Sequence, residues 1–204
     1  MRIDGTDKAE SWEAIYQKGD AGWDLAKPAP PLETLVSQSP AWLKPGKLIC
    51  FGAGKGHDAT LFAQADFDVT AVDFAPTAVE AIREYSLENK NLKAYEGDIL
   101  KLPSSFHDRF DYVLEHTCFC AIPVSNRKSY VEAAYEVLKP GGILFGLFYR
   151  FDPPDKKGPP HFTSEEEIRE LFQAKFKILT VSTPNNSHGK RKNRERLIVM
   201  EALK

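Results

Sequence analysis

Three glycines at alternate positions, Gly52, Gly54 and Gly56, follow a short apolar run and precede a segment that has the pattern of a helix. Where a strand passes into a helix in an open α/β sheet, the missing side chains let the backbone approach a ligand closely. The positive end of the helix can also hold a phosphate, and the segment GKGHDA at 54–59 satisfies the GxGxxA pattern of dinucleotide-binding loops. The loop alone predicts a nucleotide-like ligand without deciding which one.

Acidic residues end the next two segments that have strand character. Asp73 lies where a carboxylate can accept hydrogen bonds from both hydroxyls of a ribose, and Asp98 and Ile99 lie where they can meet the edge and the face of an adenine ring. Two ligands fit this series, a nicotinamide dinucleotide and an adenosyl compound. The structural alternative is three turn glycines followed by two solvated acids.

Two further sets of residues have side chains suited to a binding site. Glu115 and His116 close a later strand segment, either as an acid–base pair or as a strand-end carboxylate beside a hydrogen-bonded histidine. Trp12, Tyr16 and Trp23 lie in a mostly polar N-terminal segment that offers little core to pack against. The alternative for each ring is core packing, but for Trp12 and Trp23 this segment leads us to expect a place in the lining of a site. Tyr16 can contribute to the same aromatic wall, where rings attract a cation.

Apolar, β-branched segments alternate with helical ones from residue 48 onward. This alternation predicts a parallel sheet with crossover helices. The predicted strands are 48–51, 68–74, 92–99, 110–117 and 141–149, and the predicted helices are 58–65, 76–88 and 127–138. A turn at Pro140, Gly141 and Gly142 is expected to lead into the fifth strand.

The two ends of the chain depart from this alternation. The elements predicted there are helices at 9–17, after Pro31 and after Ser164, and strands at 176–183 and 196–203. The two last strands have no helix between them, which predicts an antiparallel hairpin. We expect one α/β domain over 1–204, a doubly wound, seven-stranded, mostly parallel sheet of Rossmann-like type in 47–204 with an N-terminal helical cover in 1–46.

The composition argues against several classes of partner. The 204 residues carry a formal net charge of −2 and 42% of them are hydrophobic, values that predict no nucleic-acid partner. Its three cysteines have no CxxC or histidine spacing, so we expect no metal site and a reducing, cytoplasmic location. No signal-peptide core or bilayer-length apolar stretch is present, so no membrane partner is expected either. We expect a monomer, and interpret the charged segment at 188–196 as a solvated hairpin tip.

The glycine loop, the acids at successive strand ends and the antiparallel last strand resemble class I S-adenosylmethionine-dependent methyltransferases. Within that class, the N-terminal segment at 11–32 is similar to the thiopurine methyltransferase family, and more closely to its thiol and halide methyltransferase branch. Trp12 and Trp23 match that branch, while Tyr16 takes the place of a tryptophan. Further matching segments are GAGKGHD at 52–58, TCFCAI at 117–122, Tyr149, and GPPH at 158–161.

The resemblance implies S-adenosylmethionine as the methyl donor and S-adenosylhomocysteine as the product. The donor-binding residues it implies are Trp12, Tyr16, Trp23, Gly52, Gly54, Gly56, Asp73, Asp98, Ile99 and His116. Beside a small-molecule acceptor it implies catalytic roles for Tyr149, Glu115 and His161. The branch often has Asp-Tyr where this chain has Glu115-His116, and a tyrosine where it has His161, so the groups around the sulfonium and the acceptor differ from that pattern.

The implied reaction is methyl transfer to a small soft nucleophile, a thiol, a thiopurine-like compound or a halide, by in-line displacement. Such a reaction mainly needs two partners aligned in a dry aromatic site, whereas an oxygen acceptor would demand a general base. Two alternatives stay open. One is a nicotinamide-dependent oxidoreductase, supported by GKGHDA and Asp73, and the other is a non-catalytic module that binds S-adenosylmethionine.

Overall fold

Seven strands form one sheet in the computed structural model, which describes residues 8–151 and 158–204. The strands are β1 (Lys47–Phe51), β2 (Asp68–Asp73), β3 (Leu92–Glu96), β4 (Phe110–His116), β5 (Leu138–Tyr149), β6 (Phe176–Ser182) and β7 (Glu195–Ala202). Their order is β3-β2-β1-β4-β5-β7-β6. The first five strands pair in parallel, and β7 lies antiparallel between β5 and β6. The sheet confirms the predicted doubly wound fold with an antiparallel C-terminal pair.

Helices cover both faces of the sheet. They are α1 (Ala9–Gln17), α2 (Pro30–Gln38), α3 (His57–Gln64), α4 (Pro76–Glu88), α5 (Arg127–Val137) and α6 (Glu165–Phe172). Side chains alternate along β1, so Leu48 and Cys50 pack with α2 and α3, while Ile49 and Phe51 pack with α5 and α6. Two buried apolar layers therefore hold the central strands in place and fix which strand ends lie side by side.

Local signals in the sequence account for the helix starts. Pro30 and Pro76 occupy the first turn of α2 and α4, where a missing N–H costs nothing. Ser164 caps α6, since its hydroxyl accepts a hydrogen bond from the Glu167 N–H at 3.1 Å. Helices α1 and α4 have the predicted bounds, and α3 and α5 agree with the prediction to within a residue.

The predicted turn at Pro140, Gly141 and Gly142 is wrong. These residues belong to β5, whose register against β4 shifts between the pairs Phe110↔Leu138 and Tyr112↔Ile143, so the chain bulges within the strand. Gly141 has a φ of +70°, which a residue without a side chain tolerates. Strand β3 also ends earlier than predicted, because a 3-10 turn at Ile99–Lys101 follows Asp98.

The N-terminal segment and the connection between β6 and β7 both reach the carboxyl edge of the sheet. Helix α1 packs on α4, where the Glu13 carboxylate accepts hydrogen bonds from the N–H and the hydroxyl of Thr77 at 2.9 and 2.6 Å. The connection between β6 and β7 docks on α2 through Asn186, which donates to the Pro30 carbonyl at 3.1 Å.

Across the described ranges, no helix combines the length and apolarity needed to cross a bilayer.

Candidate active site

A cavity of about 800 Å³ opens where β1, β2 and β4 end. Its volume lies in the upper part of the range of roughly 300–1,000 Å³ that small-molecule sites occupy, which leaves room for two small molecules. Of the residues predicted for the site, ten line the cavity: Trp12, Tyr16, Trp23, Gly52, Gly54, Asp73, Asp98, Ile99, His116 and Tyr149. Three predicted residues do not: Gly56, Glu115 and His161.

The glycine loop forms one wall of the cavity. Gly52 and Gly54 both have a φ of +56°, and a Cβ atom on Gly52 would lie 2.6 Å from the Cys118 sulfur. The Asp73 carboxylate holds the loop, because Oδ2 accepts a hydrogen bond from the Gly54 N–H at 2.8 Å. Gly56 faces away from the cavity, and a Cβ atom there would lie 2.8 Å from Ile82 Cγ1. The missing side chain at Gly56 therefore allows close packing against Ile82 of α4, and its role as a ligand contact stays a prediction.

Strand-end acids border the next part of the cavity. Asp73 also accepts from the Ala75 N–H at 3.0 Å, and burial raises the pKa of its carboxyl to about 6 despite these hydrogen bonds. Each carboxylate oxygen has two lone pairs, so the side chain keeps acceptor capacity for a ligand. Asp98 accepts a hydrogen bond from the Leu100 N–H at 2.9 Å, and the intervening residue Ile99 also lines the cavity.

Aromatic rings of the N-terminal segment close the cavity from above. The Trp23 ring meets Trp12 and Tyr16 edge to face, with centroids 5.1 and 5.6 Å apart, and its Nε1 donates to the Tyr16 hydroxyl at 3.3 Å. Asp24 ties this segment to the glycine loop, since its carboxylate lies 3.0 Å from Lys55 Nζ and 3.1 Å from His57 Nε2.

His116 connects three other parts of the chain. Its Nδ1 lies 2.5 Å from Asp58 Oδ2 in the first turn of α3, and its Nε2 contacts the Arg191 guanidinium. Arg191 in turn donates to the carbonyl of Trp23 at 2.6 Å. Arg191 is only 6% exposed and lines the cavity, so interpreting 188–196 as a solvated tip is wrong for this residue.

Glu115 lies beneath the cavity and does not face it. Its fully buried carboxylate accepts hydrogen bonds from the N–H groups of Cys118 and Phe119, both at 3.0 Å, and from the Tyr130 hydroxyl at 2.7 Å. Burial raises the pKa of this carboxyl to about 7, partly offset by those hydrogen bonds. In this position the carboxylate supports the loop after β4, and the expected catalytic role of Glu115 stays a prediction that this burial does not favour.

Tyr149 and His161 were both expected beside an acceptor, but the structure separates them. Tyr149 lines the cavity, and its ring centroid lies 5.4 Å from the Arg194 guanidinium carbon and 6.0 Å from that of Arg191. His161 stands outside the lining, held by its backbone N–H, which donates to the Cys120 carbonyl at 2.6 Å. Pro159 and Pro160 line the cavity instead. The loop at 158–161 thus reaches the cavity through its prolines, and the catalytic role expected of His161 stays a prediction.

Two thiols also belong to the cavity wall. Cys118 and Cys120 both line the cavity, and the Cys120 sulfur donates to the Thr117 carbonyl at 3.2 Å. Burial raises the pKa of both thiols well above the usual range, so they stay uncharged.

Sequence reasoning missed Asp58 and Arg191. Asp58 ends the matched segment GAGKGHD and directly follows the glycine loop, so its place in the first turn of α3 was a usable signal. Arg191 carries no such signal, because it stands among charged and polar neighbours and only the docking of the β6–β7 connection brings it to the cavity.

A cavity at the carboxyl ends of a doubly wound sheet, walled by a glycine loop and strand-end acids, defines an enzyme of the Rossmann-like, nucleotide-cofactor class. Residues 7–202 match the model of the thiopurine S-methyltransferase (TPMT) family, and the chain belongs to that family. It is an S-adenosylmethionine-dependent methyltransferase, which confirms the family and the activity expected from the sequence.

Comparisons with individual proteins agree with this assignment. Probable thiol methyltransferase 2 from Arabidopsis thaliana is 28% identical over 202 residues, which cover 96% of this chain and 86% of that protein. Thiocyanate methyltransferase 1 from Brassica oleracea is 28% identical over 191 residues, covering 91% and 82%. The solved structure of Burkholderia thailandensis 1,6-didemethyltoxoflavin-N1-methyltransferase, with bound 1,6-didemethyltoxoflavin and S-adenosylhomocysteine, has a TM-score of 0.75 at 18% identity. It covers 96% of this chain and 87% of its own, and shows the shared fold.

Proposed function

We propose that the enzyme methylates a small organic thiolate, with the donor bound along the glycine loop and the acceptor beside Tyr149. S-adenosylmethionine, when bound, supplies a methyl carbon that its sulfonium has already activated. The chain has to hold this donor, align the acceptor behind the methyl carbon, and exclude water. The cavity walls supply groups for each of these tasks.

The donor half of the cavity suits an adenosyl compound with a cationic sulfur. The bare backbone at Gly52 and Gly54 allows close approach, and the Asp73 carboxylate can accept from ribose hydroxyls. Asp98 and Ile99 offer a carboxylate and an apolar side chain to an adenine ring. The rings of the N-terminal segment add cation–π attraction of roughly 0.5–2 kcal/mol for each well-placed ring.

The surroundings of the expected bases favour an acceptor that is already ionised. Glu115 and His161 stand outside the cavity lining, and both ring nitrogens of His116 have partners. A hydroxyl acceptor needs a base, whereas a thiol ionises near neutral pH and attacks as the thiolate. This placement of Glu115, His116 and His161 is the observation that carries the proposal.

The acceptor half of the cavity favours an organic thiolate over a bare inorganic anion. Its wall is largely apolar, made by Ile122, Pro123, Pro159 and Pro160 beside Tyr149. Lys190 and Arg194 also line the cavity and give it positive potential, which raises the local concentration of anions. Aligning the two reactants in such a site can lower the barrier by about 7–11 kcal/mol.

A transfer assay with methyl-labelled donor and matched acceptors tests this proposal. Thiophenol should be methylated and phenol should not, because the two share one ring but only the thiol ionises readily without a base. Hydrosulfide, thiocyanate and iodide in the same assay compare bare anions with the organic thiolate, and we expect lower kcat/KM for all three. Comparable methylation of phenol would overturn the thiolate assignment, and preferential methylation of iodide would overturn the apolar acceptor.

The cellular setting belongs to the same proposal. Cys50, Cys118 and Cys120 are free thiols, which supports the reducing cytoplasm expected from the sequence.

A monomer is also proposed, because a single chain supplies the glycine loop, the strand-end acids and the aromatic rings that line the cavity.

A further inference from the structure

Arg191 joins parts of the chain that are far apart in sequence. It lies in a 3-10 turn at Gly189–Arg191, between β6 and β7. One terminal nitrogen of its guanidinium donates to the Trp23 carbonyl at 2.6 Å, and the other contacts Nε2 of His116. The His116 Nδ1 lies 2.5 Å from Asp58 Oδ2, and Asp58 Oδ1 accepts from the Ala29 N–H at 2.8 Å.

The chemistry of these groups fixes the direction of each hydrogen bond. A guanidinium only donates, so Nε2 of His116 must accept from Arg191 and the ring proton must sit on Nδ1. That proton then points at the Asp58 carboxylate. Burial alone would raise the pKa of Asp58, but His116, the Ala29 N–H and Arg191 outweigh it and lower the pKa, so the carboxylate is ionised and able to accept.

We propose that Arg191 is a positioning residue, a latch that holds the aromatic cover of Trp12, Tyr16 and Trp23 on the sheet. Asp58 and His116 orient the guanidinium of Arg191 for this task. The latch holds the cover at Trp23, whose ring packs on Trp12 and Tyr16 over the donor half of the cavity. This inference rests on the donor placement proposed above.

The latch predicts a specific division of kinetic effects. Its hydrogen bonds hold the cover and touch neither the acceptor nor the methyl group, so breaking them should weaken donor binding and leave kcat at saturating donor nearly unchanged. A role of Arg191 in acceptor recognition would give the opposite pattern, a raised acceptor KM with normal donor affinity.

Two substitutions test the latch. Arg191→Lys keeps the positive charge but loses the planar fork that reaches two acceptors at once. Asp58→Asn keeps the shape of the side chain but offers a single acceptor oxygen to two donors, the Ala29 N–H and His116 Nδ1. If that oxygen stays on the Ala29 N–H, the amide NH₂ faces His116 Nδ1 and drives the ring proton to Nε2, against Arg191. Lys192→Gln is the matched control, because Lys192 is exposed and stands outside the cavity lining.

The readouts are the Kd of S-adenosylhomocysteine by calorimetry, the rate of proteolysis before Trp23, and circular dichroism to confirm folding. We expect Arg191→Lys and Asp58→Asn to weaken binding roughly tenfold or more, as the loss of a charged hydrogen bond does, and to speed cleavage of the cover. Lys192→Gln should match the parent enzyme. Unchanged donor affinity in a folded Arg191→Lys variant would overturn the latch, even if Asp58→Asn failed to fold. Failure of the parent enzyme to bind S-adenosylhomocysteine would instead overturn the proposed donor site.

Discussion

Asp73 and Glu115 are both buried carboxylates at strand ends, yet they differ in what their oxygens face. Burial raises the pKa of both, to about 6 for Asp73 and about 7 for Glu115. Asp73 lines the cavity, so its protonation state affects a ligand. Glu115 does not line the cavity, and its carboxylate accepts hydrogen bonds from the N–H groups of Cys118 and Phe119. Sequence position alone could not separate these roles, since both acids follow an apolar strand in the same way.

Donor affinity should fall in acid because of Asp73. Its ionised carboxylate can accept from two ribose hydroxyls, while the protonated acid offers fewer lone pairs. Since the folded-state pKa is raised to about 6, ionisation of Asp73 is complete only above that pH. We expect the Kd of S-adenosylhomocysteine, measured by calorimetry, to rise as the pH drops from 8 through 6 toward 5.

The control for this effect is Asp73→Asn, which has no carboxyl to titrate and should bind weakly at every pH. A parent enzyme whose affinity does not change across this range would contradict the assignment of Asp73 to the ribose. The same raised pKa has a cost in the unliganded protein. The neutral Asp73 carboxyl makes its full contribution to the free energy of unfolding below the unfolded-state pKa near 3.8. That contribution is lost as the pH rises through about 6.

At the level of elements, local sequence patterns predicted the helix starts, because these depend on residues that are neighbours in the sequence. Proline in the first turn of α2 and α4 and the Ser164 cap of α6 are read directly from neighbouring residues. The bulge in β5 and the docking of the β6–β7 connection depend on contacts between distant segments. For the same reason the strand-end acids were predictable as part of the site and Arg191 was not.

Substitutions in the glycine loop should separate binding from packing. In Gly54→Ala the new Cβ lies at the cavity wall, 3.2 Å from the Tyr16 hydroxyl, so donor Kd should rise. In Gly56→Ala it lies 2.8 Å from Ile82 Cγ1, so the free energy of unfolding should fall by about 1–3 kcal/mol while the folded fraction binds donor normally.

Gly19→Ala is the matched control for backbone strain, since Gly19 has a φ of +70° with nothing within 4 Å of the added carbon. Urea unfolding and calorimetry with S-adenosylhomocysteine measure the two effects on all three variants. Equal losses of donor affinity in Gly54→Ala and Gly56→Ala would show that the loop acts as one unit, against a division of labour between binding and packing.

On the scale of the whole molecule, the cavity is closed by the N-terminal segment and the connection between β6 and β7. The cover is tied to the glycine loop through Asp24 and to α4 through Glu13, while Arg191 reaches it from the β6–β7 connection. Segments near residue 20 and residue 190 therefore meet over strand ends that lie between them in sequence. A ligand that contacts this closed arrangement binds the folded chain and has no comparable site on the unfolded one.

Donor binding should consequently stabilise the entire chain and protect its cover. At a hundred times its Kd, S-adenosylhomocysteine adds about 2.7 kcal/mol to the free energy of unfolding. For a chain of this size that corresponds to a rise in Tm of roughly 5–10 °C, measurable by scanning fluorimetry. Cleavage before Trp23 should slow in parallel, because the rings of the cover then pack on the ligand. NADH at the same concentration is the control and should change neither quantity, whereas a rise in Tm without protection of the cover would place the donor away from Trp12, Tyr16 and Trp23.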